Sequence, residues 1–253
     1  MVQGDDGALF GTTSEIKVGT NYFLGSVFRV TTDGVLTTLA WFQSTNGMFP
    51  VGRLAQVGYG AFYGTAHDGG SRGRGTVFRV TTNGVLTALV SFAETNGAFP
   101  QAGLAQGSDG ALYGTTSSGE GNLSGTVFRI TTNGVLTTLK RLSYYEGAIP
   151  WGALALGSDG TLYGTTFRGG SRGGGNVFRV DLSSQMQTLT RGVNGWEVRF
   201  VGLPEASYRL LRATNLSGPW ETLTNIIVGP DGIGLYLEDA PPPDNAFYRT
   251  AGR

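Results

Sequence analysis

A motif that returns every 50 residues fixes what this chain can fold into. Phe28, Phe78, Phe128 and Phe178 each sit in a V-F-R-[VI] run at that spacing. Tyr63, Tyr113 and Tyr163 keep the same period in [LF]-Y-G-T, with Phe10 as the first-copy counterpart. A period of this size means an array of β units, each needing its neighbours to cover its apolar faces. The third copy reads as four strands: Leu104–Gly107, Ala111–Thr116, Gly125–Thr131 and Val135–Leu142. They alternate and are rich in Val, Thr, Tyr and Phe, as a pleated, half-buried surface prefers. Asp109-Gly110 and Asn133-Gly134 are hairpin signals, because both central residues of a type I′ turn need φ > 0.

Four antiparallel strands per repeat make one propeller blade. The expected fold is therefore all-β: a β-propeller of four blades over residues 1–191, then a small C-terminal β-sandwich over 196–253. The four blades are expected to close a toroid with the C-terminal module outside it. Five short strands are read in that module, in WEVRFVG, SYRLLRAT, WETLTNIIV, GLYLEDA and AFYRTA. The alternative is a five-bladed propeller with this segment as the fifth blade. The four phenylalanines are expected between blades. Arg29, Arg79, Arg129 and Arg179 are read as stems packed between blades with paired heads; a ring of guanidinium groups is the functional alternative. The first copy begins in mid-strand, so the natural chain is expected to extend upstream with further blades or a signal peptide. The fourth copy has Ser183-Ser184 where the third has Asn133-Gly134, which marks the end of the array.

Composition excludes several functions. There are 18 Lys plus Arg against 18 Asp plus Glu, so no charge excess points to nucleic acid. There is no Cys, hence no disulfide and no thiol nucleophile. His67 is the only histidine, so a site with two His ligands cannot form within one chain. No metal or cofactor is expected, and no apolar run reaches the roughly 18 residues of a membrane span.

The string G-T-V-F-R-[VI]-T-x-x-G-x-L-T-x-L, with D-G-x-[LF]-[YF]-G-T-T and G-x-[FI]-P before it, resembles the GloVer tandem-repeat family. That resemblance covers about residues 1–190. It implies an exported bacterial protein, secreted or on the cell surface, and carries no catalytic residues to transfer. The C-terminal segment resembles a β module that ends many secreted bacterial proteins. The residues carrying this likeness are G-x-x-E-x-x-Y-x-L at Gly202–Leu210, T-N-L-x-x-x-W-x-x-L at Thr214–Leu223 and Phe247-Tyr248-Arg249. It implies an attachment or spacer role.

Function is expected on the rim that carries the longer, variable loops, opposite the tight turns. Three groups of residues fall there. Among the carboxylates, Glu120 and Glu146 have no acid at the same position of the other copies, and a glycosidase needs two; ordinary solvated loop charge is the plain alternative. Arg72, Arg74, Arg168 and Arg172, with Trp151, Tyr144 and Tyr145, suit an anionic or sugar ligand. His67-Asp68 could act as base and orienter, although adjacent side chains on a strand usually point apart. The favoured reading is a non-enzymatic propeller that binds a carbohydrate or other surface partner. A glycoside hydrolase and a structural spacer are the rivals. Nothing in the sequence specifies an oligomeric state.

Overall fold

The structure is a computed structural model that describes residues 1–14, 16–18, 21–107, 109–119, 124–157, 161–182, 185–192, 195–202, 207–214, 218–229, 233–238 and 246–251. It is all-β apart from one 3-10 turn at Glu94–Asn96. The first three copies are four-stranded antiparallel meanders. Blade 1 is Val2–Gln3, Leu9–Thr13, Ser26–Val30 and Leu36–Trp41. Blade 2 is Met48–Gln56, Ala61–Asp68, Thr76–Thr81 and Leu86–Ser91. Blade 3 is Ala105–Gln106, Leu112–Thr116, Thr126–Ile130 and Leu136–Arg141, each strand lying inside its predicted span. The extra residues of the first copy form a hairpin of their own, Ile16–Val18 with Asn21–Phe23.

Blade 4 has three strands, Ala155–Leu156, Thr161–Thr165 and Val177–Asp181. Its expected fourth strand, Gln185–Gly192, pairs instead with Gly195–Val201 of the C-terminal unit. The cause is local. In the first three copies the third strand turns back through Gly34, Gly84 and Gly134, at φ of 89°, 88° and 94°. The fourth copy offers Ser183-Ser184 at this place, which lies outside the described residues, and serine does not take such φ values cheaply.

The chain divides into two compact units, Met1–Leu156 with Tyr163–Val180, and Gly157–Leu162 with Asp181–Arg253. The second unit holds two three-stranded sheets, one of Gln185–Gly192, Gly195–Val201 and Ile233–Glu238, the other of Glu221–Ile227, Ser207–Ala213 and Phe247–Ala251. The five expected strands are all present. Val198 and Phe200 of one sheet and Tyr208, Leu210 and Ile226 of the other share a core. Two sheets facing across a core are a sandwich, not a four-stranded blade, so the fifth-blade alternative fails.

Each blade presents two different faces. In blade 3, cross-strand pairing puts Tyr113 opposite Arg129 and Thr115 opposite Val127 on one side, and Leu112 opposite Ile130 on the other. The first set is the downstream face and the second, with Phe128 and Leu136, the upstream face. Blade 1's downstream Phe10 and Val27 pack on blade 2's upstream Phe62, Phe78 and Val80. Blade 2's downstream Ala61, Tyr63 and Val77 pack on blade 3's upstream Leu112, Phe128 and Ile130. The ring of Phe128 fits because its cross-strand partner is Gly114; a Cβ there would lie 2.5 Å from Phe128 Cζ. Phe78, Phe128 and Phe178 are buried as expected, whereas Phe28, on blade 1's upstream face, is half exposed.

Candidate functional site

In a meander the two tight turns fall on one edge of the blade. The loops between second and third strands, and those leading to the next blade, fall on the other. On this second edge G-x-[FI]-P works as a clasp. Phe49, Phe99 and Ile149 adopt φ of 55°, 56° and 58°, a strained region for side chains of this bulk. Each donates its N–H to a loop carbonyl of the preceding copy, Leu24, Arg74 and Ser124, at 2.9, 2.9 and 2.8 Å. The strain recurs at each of the three junctions between copies, so it serves the joining of blades rather than a reaction.

The Gly-rich loops of copies two and four share one backbone course. Gly70 and Gly170 donate to Ser44 and Tyr144 carbonyls, Gly73 and Gly173 to Gly70 and Gly170, and Gly75 and Gly175 to Gly69 and Gly169, all at 2.7–3.2 Å. The loops therefore hold their shape without their side chains. Arg72 and Arg172 stand exposed at equivalent places on them. The segment against which each loop docks differs: Ser44-Thr45 in one copy, Tyr144-Tyr145 in the other. In copy four the loop docks on the Tyr144 carbonyl, the Tyr144 hydroxyl lies near where a Cβ on Gly173 would fall, and Tyr145 is 88% exposed next to it in the chain.

Trp151 belongs elsewhere. Its ring stacks on Phe167 at 4.2 Å and 14°, and Arg168 lies over Phe167 at 5.7 Å. Trp151 and Phe167 are part of blade 4's downstream side, next to Thr165, whose Oγ1 is near where a Cβ on Gly152 would fall. In copy three the same two positions are Gln101 and Ser117, joined by a 3.4 Å hydrogen bond.

His67 and Asp68 do meet, with Nδ1 3.0 Å from Oδ2. Sequence adjacency argued against this contact, but the strand ends at Asp68 and Gly69 follows at φ 80°, which frees the side chains from strict alternation. His67 also stacks on Phe99 at 5.2 Å, and Arg74 covers that ring at 5.2 Å while pairing with Glu94. Arg74 and the His67-Asp68 pair thus form a closed cluster at the junction of copies two and three. Glu146 pairs with Lys140 at 3.1 Å and accepts from Ser143 Oγ at 2.9 Å. The Ser143 hydrogen bond first, and then Lys140, hold its carboxyl below the usual range. Glu120 lies outside the described residues.

The arginines of V-F-R are structural in copies one and three. Arg129 and Asp109 are buried and 2.9 Å apart; Arg129 Nε and Tyr113 OH both donate to Asp109 Oδ2, at 2.9 Å each. Arg129 Nη2 lies 2.9 Å from that oxygen outside hydrogen-bond geometry, so there the contact is one of charge alone. Burial, and then the Asp109 charge, push the Tyr113 hydroxyl far above its ordinary pKa. Arg29 makes the same pair with Asp6, partly exposed, at 2.7 Å. In copy two the aspartate is replaced by Tyr59. Sequence reading expected paired arginine heads but did not name the aspartate, although the signal is an Asp-Gly turn 20 residues before Arg129.

The C-terminal unit carries a cleft lined by Arg212, Thr214, Pro219, Trp220 and Glu221. Its cation is already held by Glu221 and Glu238, and Trp220 is covered by Arg249 at 4.2 Å. The rim of copy four is therefore the better candidate.

A family model for the Gloeobacter/Verrucomicrobia repeat matches residues 1–178. The chain belongs to this repeat family. A comparison with curated protein sequences finds no match. Among solved structures, the chain is similar to a proposed 6-phosphogluconolactonase from Bacteroides uniformis at 16% identity, 88% of this chain, 73% of that chain and TM-score 0.39. A gluconolactonase from Xanthomonas campestris gives 15%, 87%, 69% and 0.43. A proposed 6-phosphogluconolactonase from Bacteroides fragilis gives 14%, 96%, 78% and 0.43. At this distance no activity transfers to the chain.

Proposed function

We propose that this repeat protein is a non-enzymatic binding module, secreted or displayed at the cell surface, that holds an acidic carbohydrate at the rim of copy four. The observation that carries the reading is a pair of exposed tyrosines, Tyr144 and Tyr145, on the segment that holds a backbone-fixed loop bearing the exposed Arg172. Exposed tyrosine faces suit the apolar faces of a sugar, and a guanidinium fork binds a carboxylate bidentately. The C-terminal sandwich acts as the attachment module. Copy two supplies the contrast, with the same loop and the same arginine but Ser44-Thr45 in place of the tyrosines. The hydrolase alternative is less well supported. A glycosidase needs a proton donor of raised pKa, and Glu146 is shifted the other way.

Calorimetric titration with uronic-acid oligosaccharides is the test. Tyr145→Ala and Arg172→Ala should each weaken binding about tenfold or more, as loss of an anchor does, and Thr45→Ala should not. Unchanged affinity in both variants sinks the reading. Turnover of chromogenic glycosides by the wild type would put the hydrolase in its place.

A further inference from the structure

The downstream face of blade 4 repeats a face that elsewhere is interior. Tyr163, Thr165, Val177 and Arg179 are identical to Tyr113, Thr115, Val127 and Arg129 of blade 3. In blade 3 they are buried; Val127 is 0% exposed, whereas Val177 is 68% exposed. Thr165 and Arg179 are exposed too, and Trp151 and Phe167 extend the same face at 47% and 49%. The upstream face of blade 1 is the mirror case. Phe28 and Leu36 match Phe128 and Leu136, yet Leu36 is 67% exposed, and Leu9 beside it is 37% exposed. Faces that a stacked array leaves toward solvent normally carry polar residues. These two do not; they keep the residues of an interior junction.

We infer that the downstream face of blade 4 docks on the upstream face of blade 1 of a second copy of this chain. The fit of these two faces is already seen twice within the chain, between blades 1 and 2 and between blades 2 and 3. The contact joins unlike faces, so it is heterologous, and it makes a closed pair where the two chains are related by a half-turn. Two sets of four copies give eight blades, within the range that propellers adopt. Trp151 and Phe167 are then part of the junction. The rim site stays open: Thr45 and Thr95, at the position of Tyr145, are exposed even though a following blade is in place. The inference is independent of the glycan reading.

The test is light scattering after size exclusion on the full chain, with melting curves to show that each variant is folded. The wild type should run at twice the 26.6 kDa of one chain. Val177→Asp and Leu36→Asp, both at exposed positions, should each give 26.6 kDa. An equimolar mixture of the two variants keeps one intact pair of faces, so it should return to twice that mass. A wild type that stays monomeric at high concentration overturns the inference and leaves the faces to other segments of a longer chain. Loss of the dimer in Val177→Asp but not in Leu36→Asp overturns it in favour of like faces meeting. Polymers that grow with concentration overturn the closed pair.

Discussion

Gly114→Ala tests the packing argument at its tightest point. The backbone there is ordinary strand, so alanine brings no conformational penalty of its own. Its Cβ would lie 2.5 Å from Phe128 Cζ and 2.8 Å from Leu104 Cδ2. Carbon atoms prefer about 3.5–4 Å, so the Phe128 ring must move by about 1 Å. That ring is fully buried, with Phe92 against it at 5.2 Å, and has nowhere to go. Overpacking of this kind costs about 1–3 kcal/mol. The stiffer unfolded chain returns only about 0.4–1 kcal/mol, so the clash wins. The net loss of up to roughly 2.6 kcal/mol should lower Tm by up to roughly 10 °C for a domain of this size. Scanning calorimetry reads the loss, and a double-mutant cycle assigns it. With Phe128→Leu in the background, the methyl group has room, and the coupling should reach about 1 kcal/mol or more. Equal losses in both backgrounds would show that the ring is not what the methyl group meets.

Asp109→Asn should destabilise by about 3–5 kcal/mol in urea titrations, because Arg129 is left charged and buried; Asp6→Asn, at a solvent-exposed pair, should change little, and similar losses at the two sites would refute the burial argument. Gly134→Val should cost on the order of 1–3 kcal/mol, since a β-branched residue is forced to φ near 94°. Gly174→Val, at an exposed loop position with no atom within 4 Å of the new Cβ, should melt like the wild type.

The period and the hairpin glycines carried most of the fold. Asn133-Gly134 named its turn, and the period named Phe128 as a residue between blades. What failed was pairing. Gln185–Gly192 reads as a strand in either setting, and a strand's sequence does not name its partner; the absent hairpin glycine at 184 was the clue that decided it. The Asp-Gly turn 20 residues before the arginine was the signal that Asp109 meets Arg129, but the repeat gives position, not orientation, so the partner went unnamed. The candidate site was legible in part. Variable loops pointed to Tyr144, Tyr145 and Arg172. Trp151 was placed with them by size and rim position, yet its stack on Phe167 puts it on the blade's face. Identical residues at Val127 and Val177 gave no hint that one is covered and the other bare.

The loops at 69–75 and 169–175 keep one course although the residues packed beside them differ. Their shape is set by main-chain bonds, so selection acting on the tips is decoupled from selection acting on the frame. On the proposed reading, a change at Arg172 or Tyr145 would alter what the rim recognises while leaving the blade's stability almost untouched. If the rim binds as proposed, a lineage carrying such repeats could exchange one ligand for another by single substitutions, and duplicated copies could drift toward different ligands within one chain.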